Sequence, residues 1–498
     1  MITLTLTEES LEKNLELVLQ AKDSIRLIEL RADYLPSNFI LSDERKTELQ
    51  SFVEQIHSLN LQAIFTLRQV VDKGLYNRGV SEATSWYELA VECGFDYIDI
   101  DEDFFANCEF GSKLTSWKEV PTLTIVISRH DFDEVPSNFV EWVYGIATQG
   151  FVPKLAVMVK NPKELLRFYD YCLKLREVKK VVVGMGVLGF ITRVCTKLFR
   201  SLWSYSAISS VTAELGHISP IDLDKIYGYY SIEENWEIYG IVGNPVIKSK
   251  SPQIQNNFFS QQGMSKIYIP FQTDNFCQFI EVAKALKIRG LSVTVPFKEE
   301  AAKIATYKEE AVKSIKAANT LLFNYNSESA TEIYAYNSDA EGFKKPLLEV
   351  VPSSKLANSK VCLIGAGGAS KAIIYVLKEL GCQLFLFNRS YEKAINLVNE
   401  FSYGKAYPLE ALVNFSSFDI VINSSTAGMG ELSHIDLSEG YNFSGNEVVY
   451  DIVYYPSETK MLARAKLAGC KTIGGIKMLE AQAVKQSKLF GYGVESLS

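Results

Sequence analysis

The sequence predicts an α/β protein in two parts, an N-terminal (β/α)8 barrel followed by a two-subdomain unit that binds a dinucleotide. Three observations lead there. Up to about Tyr227, short β-branched runs alternate with segments of helical period. A second α/β pattern starts at Ile238, after the stretch 228–236. Gly365-Ala-Gly-Gly-Ala-Ser370 then separates an apolar strand from a helix, the setting in which a backbone can receive a pyrophosphate.

In chain order, candidate strands lie at 2–6, 25–31, 62–68, 96–101, 122–128, 154–159, 180–184 and 206–212. Helical segments lie at 8–21, 44–58, 82–93, 161–175 and 189–203. Eight strands, each parallel to the last through a crossover, is the count of a barrel built in ~200–250 residues. An open doubly wound sheet would show the same alternation. The barrel is favoured because polar residues gather at C-terminal strand ends: Glu29 and Arg31, Arg68, Asp99 and Asp101, Ser128 and His130, and Arg193 after the seventh strand. Residues 228–236 read as a linker. The second part continues through strands near 238–242, 267–271, 291–295, 320–324 and 332–336. A last unit opens at 360, with helix 370–380 and strand 383–388.

A chain of 498 residues exceeds one core, so two or three domains are expected. A net charge of -8 gives no reason to expect nucleic acid or an anionic membrane as partner, and any anion site must be a local basic cluster. No apolar stretch reaches ~18–20 residues, the length of a membrane span. Met1-Ile-Thr-Leu-Thr-Leu6 reads as a strand and not as a signal or transit peptide. The eight cysteines make no CxxC pair or metal-ligand spacing, so no metal is expected. Cys172, Cys195, Cys277 and Cys362 read as small core residues, and a reducing cytoplasm fits.

The cofactor preference is read one strand after the glycines. Leu384-Phe-Leu-Phe387 ends in Asn388-Arg-Ser-Tyr-Glu-Lys393. An acid there would hold a ribose 2′-hydroxyl, whereas Arg389, supported by Lys393, suits the 2′-phosphate of NADP. A solvated charge at a helix start is the alternative. Two lysines carry candidate chemistry. Lys298 closes Ser292-Val-Thr-Val-Pro-Phe-Lys298 and, held by a carboxylate, could protonate a developing alkoxide; a surface salt bridge is the alternative for such a pair. Lys154 opens Lys154-Leu-Ala-Val-Met-Val159, where alternation puts Lys154, Ala156 and Met158 on one face. If that face is the barrel interior, burial and neighbouring cations lower the lysine's pKa and free an amine nucleophile. Taken alone, the residue fits better a cation exposed at the barrel bottom.

The motifs of 237–498 resemble the shikimate dehydrogenase family. Gly243-Asn-Pro-Val-Ile-Lys-Ser-Lys-Ser-Pro252 is similar to its substrate loop, which implies that Ser249 and Ser251 bind the shikimate carboxylate. The resemblance also implies a catalytic Lys298 paired with Asp339, and substrate contacts from Thr294, Asn319, Tyr454 and Gln482. Gly365, Gly367, Gly368 and Ala369, with Asn388, Arg389, Lys393, Ile452 and Gly475, would border NADP. Lys248, Ser292 and Ser338 depart from the residues usual in the family.

Ile28-Glu-Leu-Arg31, Thr66-Leu-Arg68, Ser128-Arg-His-Asp131, Pro153-Lys-Leu-Ala-Val-Met158 and Gly184-Met-Gly-Val-Leu-Gly-Phe-Ile-Thr-Arg193 resemble, in order, type I 3-dehydroquinate dehydratase. That implies a Schiff base on Lys154, with His130, titrating near neutrality, as acid and base. It also implies Arg193 on the substrate carboxylate, with Glu29, Arg31 and Arg68 positioning hydroxyls and imine. Asp72 replaces the usual glutamate. Ala213-Glu-Leu-Gly-His217 replaces Ser-Ala-Pro-Gly-Gln in the closing loop, so His217 would stand in for a glutamine on the substrate.

Together the two stretches resemble bifunctional 3-dehydroquinate dehydratase/shikimate dehydrogenases. The implied architecture is a barrel at 1–225, a substrate subdomain at 237–340 joined by helix 475–498, and a Rossmann-type NADP subdomain at 341–474. The implied substrates are small molecules: 3-dehydroquinate, 3-dehydroshikimate and shikimate. A shikimate or quinate dehydrogenase with an impaired barrel, suggested by Ala213 and His217, is a second reading. A non-catalytic metabolite sensor is a third, against which the retained Lys154, His130, Lys298 and Asp339 speak.

Overall fold

The computed structural model describes residues 1–36, 43–208, 216, 218–247, 249–325 and 331–492, except the side chains of 108 and 109. The chain falls into two compact units, Met1–Ile238 with Pro245–Leu286, and Tyr239–Asn244 with Lys287–Ser498.

In the first unit, eight strands follow one another: β1 (Ile2–Leu6), β2 (Leu27–Arg31), β3 (Gln62–Thr66), β4 (Tyr97–Asp101), β5 (Thr124–Asp131), β6 (Val152–Met158), β7 (Val181–Met185) and β8 (Ser204–Ser206). Their order is β7-β6-β5-β4-β3-β2-β1-β8, with parallel ladders throughout. Between β7 and β8 the seam is a single parallel bridge, Lys180 to Ser201, with the Leu202 N–H donating to the Lys180 carbonyl at 2.9 Å.

Alternation explains the interior. Leu27, Ile64, Tyr97, Val126, Val152, Val181 and Trp203 pack together in one apolar cluster. Two residues on, the same face carries Glu29, Thr66, Asp99, Ser128 and Lys154. The barrel is thus an apolar plug with a polar floor above it.

Two elements differ from expectation. The helical stretch 189–203 shrinks to Phe190–Val194. The chain then turns back, with Arg200 in a left-handed conformation (φ 53°), and β8 starts earlier than expected, at Ser204–Ser206; residues 209–212 of the expected strand 206–212 lie outside the described residues. Helices Cys108–Lys118 and Phe139–Ala147 were not in the pattern. The second, Phe-Val-Glu-Trp-Val-Tyr-Gly-Ile-Ala, is apolar nearly all round and hides its period. The stretch 228–236 is not simply a solvated linker. Tyr229 is buried, and its hydroxyl donates to the Met1 carbonyl at 2.9 Å. Cys277, read as core, is exposed.

The second unit holds two sheets. In the first, strands Glu237–Gly243, Gly290–Val293, Thr320–Asn324, Glu332–Tyr336 and Tyr307–Lys308 lie side by side in that order. The second is wholly parallel, in the spatial order Lys405–Pro408, Gln383–Asn388, Lys360–Ile364, Ile420–Asn423, Val448–Asp451, Lys471–Ile473. Numbered along the chain that order is 3-2-1-4-5-6, the doubly wound arrangement whose ligand crevice opens where strands 1 and 4 diverge. Both faces are buried: Leu363, Ile422 and Tyr450 look to one core, Cys362, Ile364, Val421 and Val449 to the other. Among the described residues, no helix is long and apolar enough to cross a membrane.

Candidate active sites

Lys154 is the third residue of β6, yet it does not lie at the barrel bottom. The stagger of the ladders sets it level with Ser128, which in turn is level with Asp101, the last residue of β4. It is 4% exposed. Its Nζ donates to Asp99 Oδ2 at 2.5 Å and to Glu29 Oε1 at 3.0 Å, and lies 4.3 Å from the centroid of the Tyr205 ring. Thr66 Oγ1 donates to the same Glu29 oxygen at 3.1 Å.

These contacts reverse the expected shift. Burial works to lower the Lys154 pKa, but the Asp99 and Glu29 carboxylates outweigh it and hold the ammonium above its ordinary value. Flanking cations were expected; the first neighbours are anions. Asp99 is correspondingly depressed despite its own burial, through Lys154 and Arg68.

His130 also departs from expectation. Desolvation and the Arg68 charge lower it to about 4, against a smaller opposing pull from Asp72, so it is neutral at pH 7. Its Nδ1 stands 3.5 Å from Asp72 Oδ2, beyond a good hydrogen bond. Phe132 stacks on its ring at 6.1 Å and 16°.

Arg68 spans Asp99 (3.1 Å), Asp101 and Ser128 Oγ (2.7 Å). Arg31 is held bidentately by Asp33 at 2.9 and 2.7 Å. Both arginines were expected to face substrate; each is first an internal brace. Arg193 is buried and donates to the Tyr205 carbonyl at 3.2 Å, and desolvation lowers its pKa to about 10, leaving it charged at pH 7. Glu29, Arg31, Arg68, His130, Lys154 and Arg193 all line one cavity of 320 Å³. Ala213 and His217 lie outside the described residues, as does Lys248.

Asp72, Asp101 and His130 bring donor atoms within 4.8 Å of one another. Asp101 is already committed to Arg68 and to the Gln69 N–H (3.0 Å), and the guanidinium beside it repels a cation. Asp99, Asp33 and Tyr205 were given no role from the sequence. Inward parity at the strand end was the available signal for Asp99.

In the second unit, Lys298 opens the helix Lys298–Ile304 and Asp339 lies in the first turn of Ser338–Val350. They meet at Nζ–Oδ2 2.5 Å. Asn337 caps the second helix, its side chain accepting from the Asp339 and Ala340 N–H groups. Asn319 sits beside them: its Oδ1 accepts from the Ser338 N–H at 2.8 Å, and its Nδ2 donates to Ser338 Oγ at 2.9 Å. A hydroxyl at 338 therefore suffices. Ser292 donates to Gln486 Oε1 at 3.0 Å. Gln482 is half-buried on the helix Gly475–Tyr492, and the half-exposed Thr294 donates its N–H to the Val242 carbonyl at 3.0 Å. Ser249 and Ser251, in the first unit, hydrogen-bond to each other at 3.1 Å.

The dinucleotide crevice is built by close approach. Gly365 has φ +111°, and a Cβ there would stand 2.9 Å from Ser424 Oγ. Ser370 Oγ ties the turn, donating to the Gly365 carbonyl at 2.9 Å and accepting from the Gly367 N–H at 3.0 Å. The helix begins at Gly368, not 370. A Cβ built on Gly367 or Gly368 would meet nothing within 4 Å, so packing does not require glycine there; an open cradle remains. The first-turn amides of Gly368 and Ala369 lack intrahelical acceptors and face that end. Asn388 ends the next strand, its side chain donating to the Ser390 carbonyl at 2.9 Å, and Arg389 and Lys393 are exposed. Across the crevice, Gly475 packs on Ile452, where a Cβ would stand 2.1 Å from the carbonyl oxygen. Tyr454 is 39% exposed. The buried Asp451 fixes this loop, accepting from Thr459 (2.6 Å), Asn423 (3.0 Å) and the Val453 N–H (3.0 Å); burial, only partly offset by these bonds, lifts its pKa to about 6.

A buried lysine on a polar barrel floor and a Lys–Asp pair in a chain with a doubly wound sheet define a two-site α/β enzyme. Family models match accordingly: type I 3-dehydroquinase over residues 2–234, the shikimate dehydrogenase substrate-binding domain over 241–321, and shikimate/quinate 5-dehydrogenase over 349–451. The shikimate dehydrogenase (NADP(+)) of Aquifex aeolicus is 34% identical over 52% of this chain and 93% of its own. The chloroplastic bifunctional 3-dehydroquinate dehydratase/shikimate dehydrogenase of Arabidopsis thaliana is 28% identical over 93% of this chain and 77% of its own. The solved dehydroquinate dehydratase and shikimate dehydrogenase of S. pombe AroM matches over 99% of this chain and 95% of its own, with 21% identity and a TM-score of 0.43. The chain belongs to the shikimate dehydrogenase family and carries a type I 3-dehydroquinase domain ahead of it.

Proposed function

We propose that the barrel dehydrates 3-dehydroquinate to 3-dehydroshikimate and that the second unit reduces this product to shikimate with NADPH. The observation that carries the first reaction is Lys154, buried in a cavity with a neutral histidine. The ammonium gives a proton to a contacting carboxylate, Asp99 at 2.5 Å or Glu29 at 3.0 Å. The amine adds to the substrate ketone, water leaves, and the iminium acidifies the neighbouring C–H. His130, neutral at rest, takes that proton and returns it to the departing hydroxyl. Hydrolysis of the imine releases product and restores the lysine. Arg193 holds the substrate carboxylate, and Arg31, Arg68 and Glu29 keep the floor in place.

In the second unit, Lys298 delivers a proton to the carbonyl oxygen as it becomes alkoxide, and Asp339 keeps the lysine charged and aimed. Ser249, Ser251, Thr294, Asn319, Tyr454 and Gln482 bind the substrate. The glycine cradle with Ala369 receives the pyrophosphate, Asn388, Arg389 and Lys393 the adenosine side with its 2′-phosphate, and Ile452 with Gly475 the nicotinamide. NADPH, when bound, supplies the hydride. The domain division is 1–225, 237–340 with 475–498, and 341–474. We place the enzyme in a reducing cytoplasm, supported by the seven cysteines of the described residues, which are free thiols.

Borohydride reduction in the presence of 3-dehydroquinate tests the first site. A covalent mass gain mapped to Lys154, absent in Lys154→Ala, is expected; an unmodified parent protein would refute the Schiff base. Comparing NADPH with NADH, and shikimate with quinate, tests the second.

A further inference from the structure

The turn after β3 is fixed at both ends. Gln69 and Tyr76 form an isolated bridge, the Tyr76 N–H donates to the Arg68 carbonyl, and Asp33 accepts the Leu75 N–H at 3.0 Å. The turn is tight at Gly74, where a Cβ would stand 2.1 Å from the Arg68 carbonyl oxygen. At its tip stands Lys73 with φ +58°, a left-handed conformation that costs any residue with a Cβ. Glycine would adopt it freely, yet the chain keeps a cation there.

That cation has a defined place. Lys73 Nζ lies 4.0 Å from the centroid of Phe132, the ring stacked on His130, and the side chain lines the barrel cavity. The cavity's Arg31, Arg68 and Lys154 each hold a carboxylate, while Arg193 is buried and donates to the Tyr205 carbonyl. Among the described residues Lys73 has no carboxylate partner; it has an aromatic face, which orients an ammonium without neutralising it. In a chain of net charge -8, an uncompensated cation at a cavity mouth is a local attractor for anions.

We propose that Lys73 is a specificity-determining residue of the barrel, sharing with Arg193 the single carboxylate of the anionic substrate and reaching it from the His130 side of the cavity they both line. This rests on the dehydratase reading. Phe132 holds the ammonium within reach, and the fixed turn limits the entropy lost when the pair forms.

Steady-state kinetics on the full chain with 3-dehydroquinate test it. Lys73→Met should raise KM roughly tenfold with kcat within about twofold, the loss of one cation–carboxylate contact. Lys73→Arg should return KM to within about twofold of the parent, since charge and ring contact persist. Lys73→Gly should share the raised KM while Tm stays at or above the parent value, separating binding from folding. The parent KM should rise with salt, and the Lys73→Met KM much less. An unchanged KM in both the Met and Gly variants overturns the assignment, as does a fall in kcat alone. The borohydride adduct at Lys154 separates the two failures. An adduct with an unchanged KM sinks only the role of Lys73. A parent protein that gives neither adduct nor turnover sinks the dehydratase reading and this assignment with it.

Discussion

His130 shows how far one residue's chemistry depends on its neighbours. From composition alone a histidine titrates near 6.5. Here burial and Arg68 take it to about 4. An NMR titration of the free protein should place its inflection near there. Asp72→Asn should move the inflection lower still, because the carboxylate supports the charged form. An inflection near 6.5 in the parent would refute the desolvated setting. The same shift has a stability consequence. The unfolded histidine takes a proton below about 6.5 and the folded one only near 4, so its contribution is present above 6.5 and is lost as pH falls through that window, up to ~3 kcal/mol. Lys154 shows the limit of reading a strand alone. Alternation gave its face, and the motifs gave the role proposed for it. Its charge state rests on Asp99 and Glu29, which come from strands that only barrel closure brings together.

At the scale of elements, glycines set how closely helices approach the second site. Helix Ser338–Val350 carries Asp339, and Gly475–Tyr492 carries Gln482. They touch at Gly342, where a Cβ would stand 2.8 Å from Gln482 Cβ and 3.0 Å from the Met478 carbonyl oxygen. Both neighbours belong to a helix, so they cannot yield without moving it. Gly342→Ala should therefore cost about 1–3 kcal/mol in stability and raise the KM for shikimate, read by thermal melts and kinetics. An unchanged Tm and KM would mean that the helices separate freely. Elements with strong local signals were legible in the sequence: the strand runs, the glycine turn before Gly368, and the polar strand ends of the barrel. The short helix Phe190–Val194 and the early β8 were not, because a left-handed Arg200 and packing around Gly184 and Gly189 set their ends. Lys298 and Asp339 were legible as a pair through their motifs, whereas the bracing of Arg68 and Arg31 by Asp101 and Asp33 needed the folded barrel.

At the scale of the whole molecule, each unit has its own core, and each proposed reaction draws on its own proton-handling groups. Lys154 and His130, the groups proposed to react in the barrel, both lie within residues 1–206, while Lys298 and Asp339 lie in the second unit. The free energy of the Lys154 network is spent on its own floor: removing the ammonium leaves Arg68 as the cation on Asp99, with Glu29 losing its ion-pair partner. Such a change is local in a barrel whose apolar plug remains intact. Lys154→Ala should accordingly abolish dehydration while leaving shikimate oxidation within about twofold of the parent, since sites without shared partners act additively. Lys298→Ala should do the converse, lowering reduction by roughly 10²–10⁴ while dehydration persists, the usual weight of a positioned proton donor. Mixed in equal amounts, the two variants should convert 3-dehydroquinate and NADPH to shikimate after a lag in which free 3-dehydroshikimate accumulates, followed by NADPH absorbance. The lag should shorten as protein concentration rises, because the intermediate must cross between molecules. If the mixture fails although each variant keeps its remaining activity, the intermediate does not leave the chain in usable form, and the two reactions are not independent.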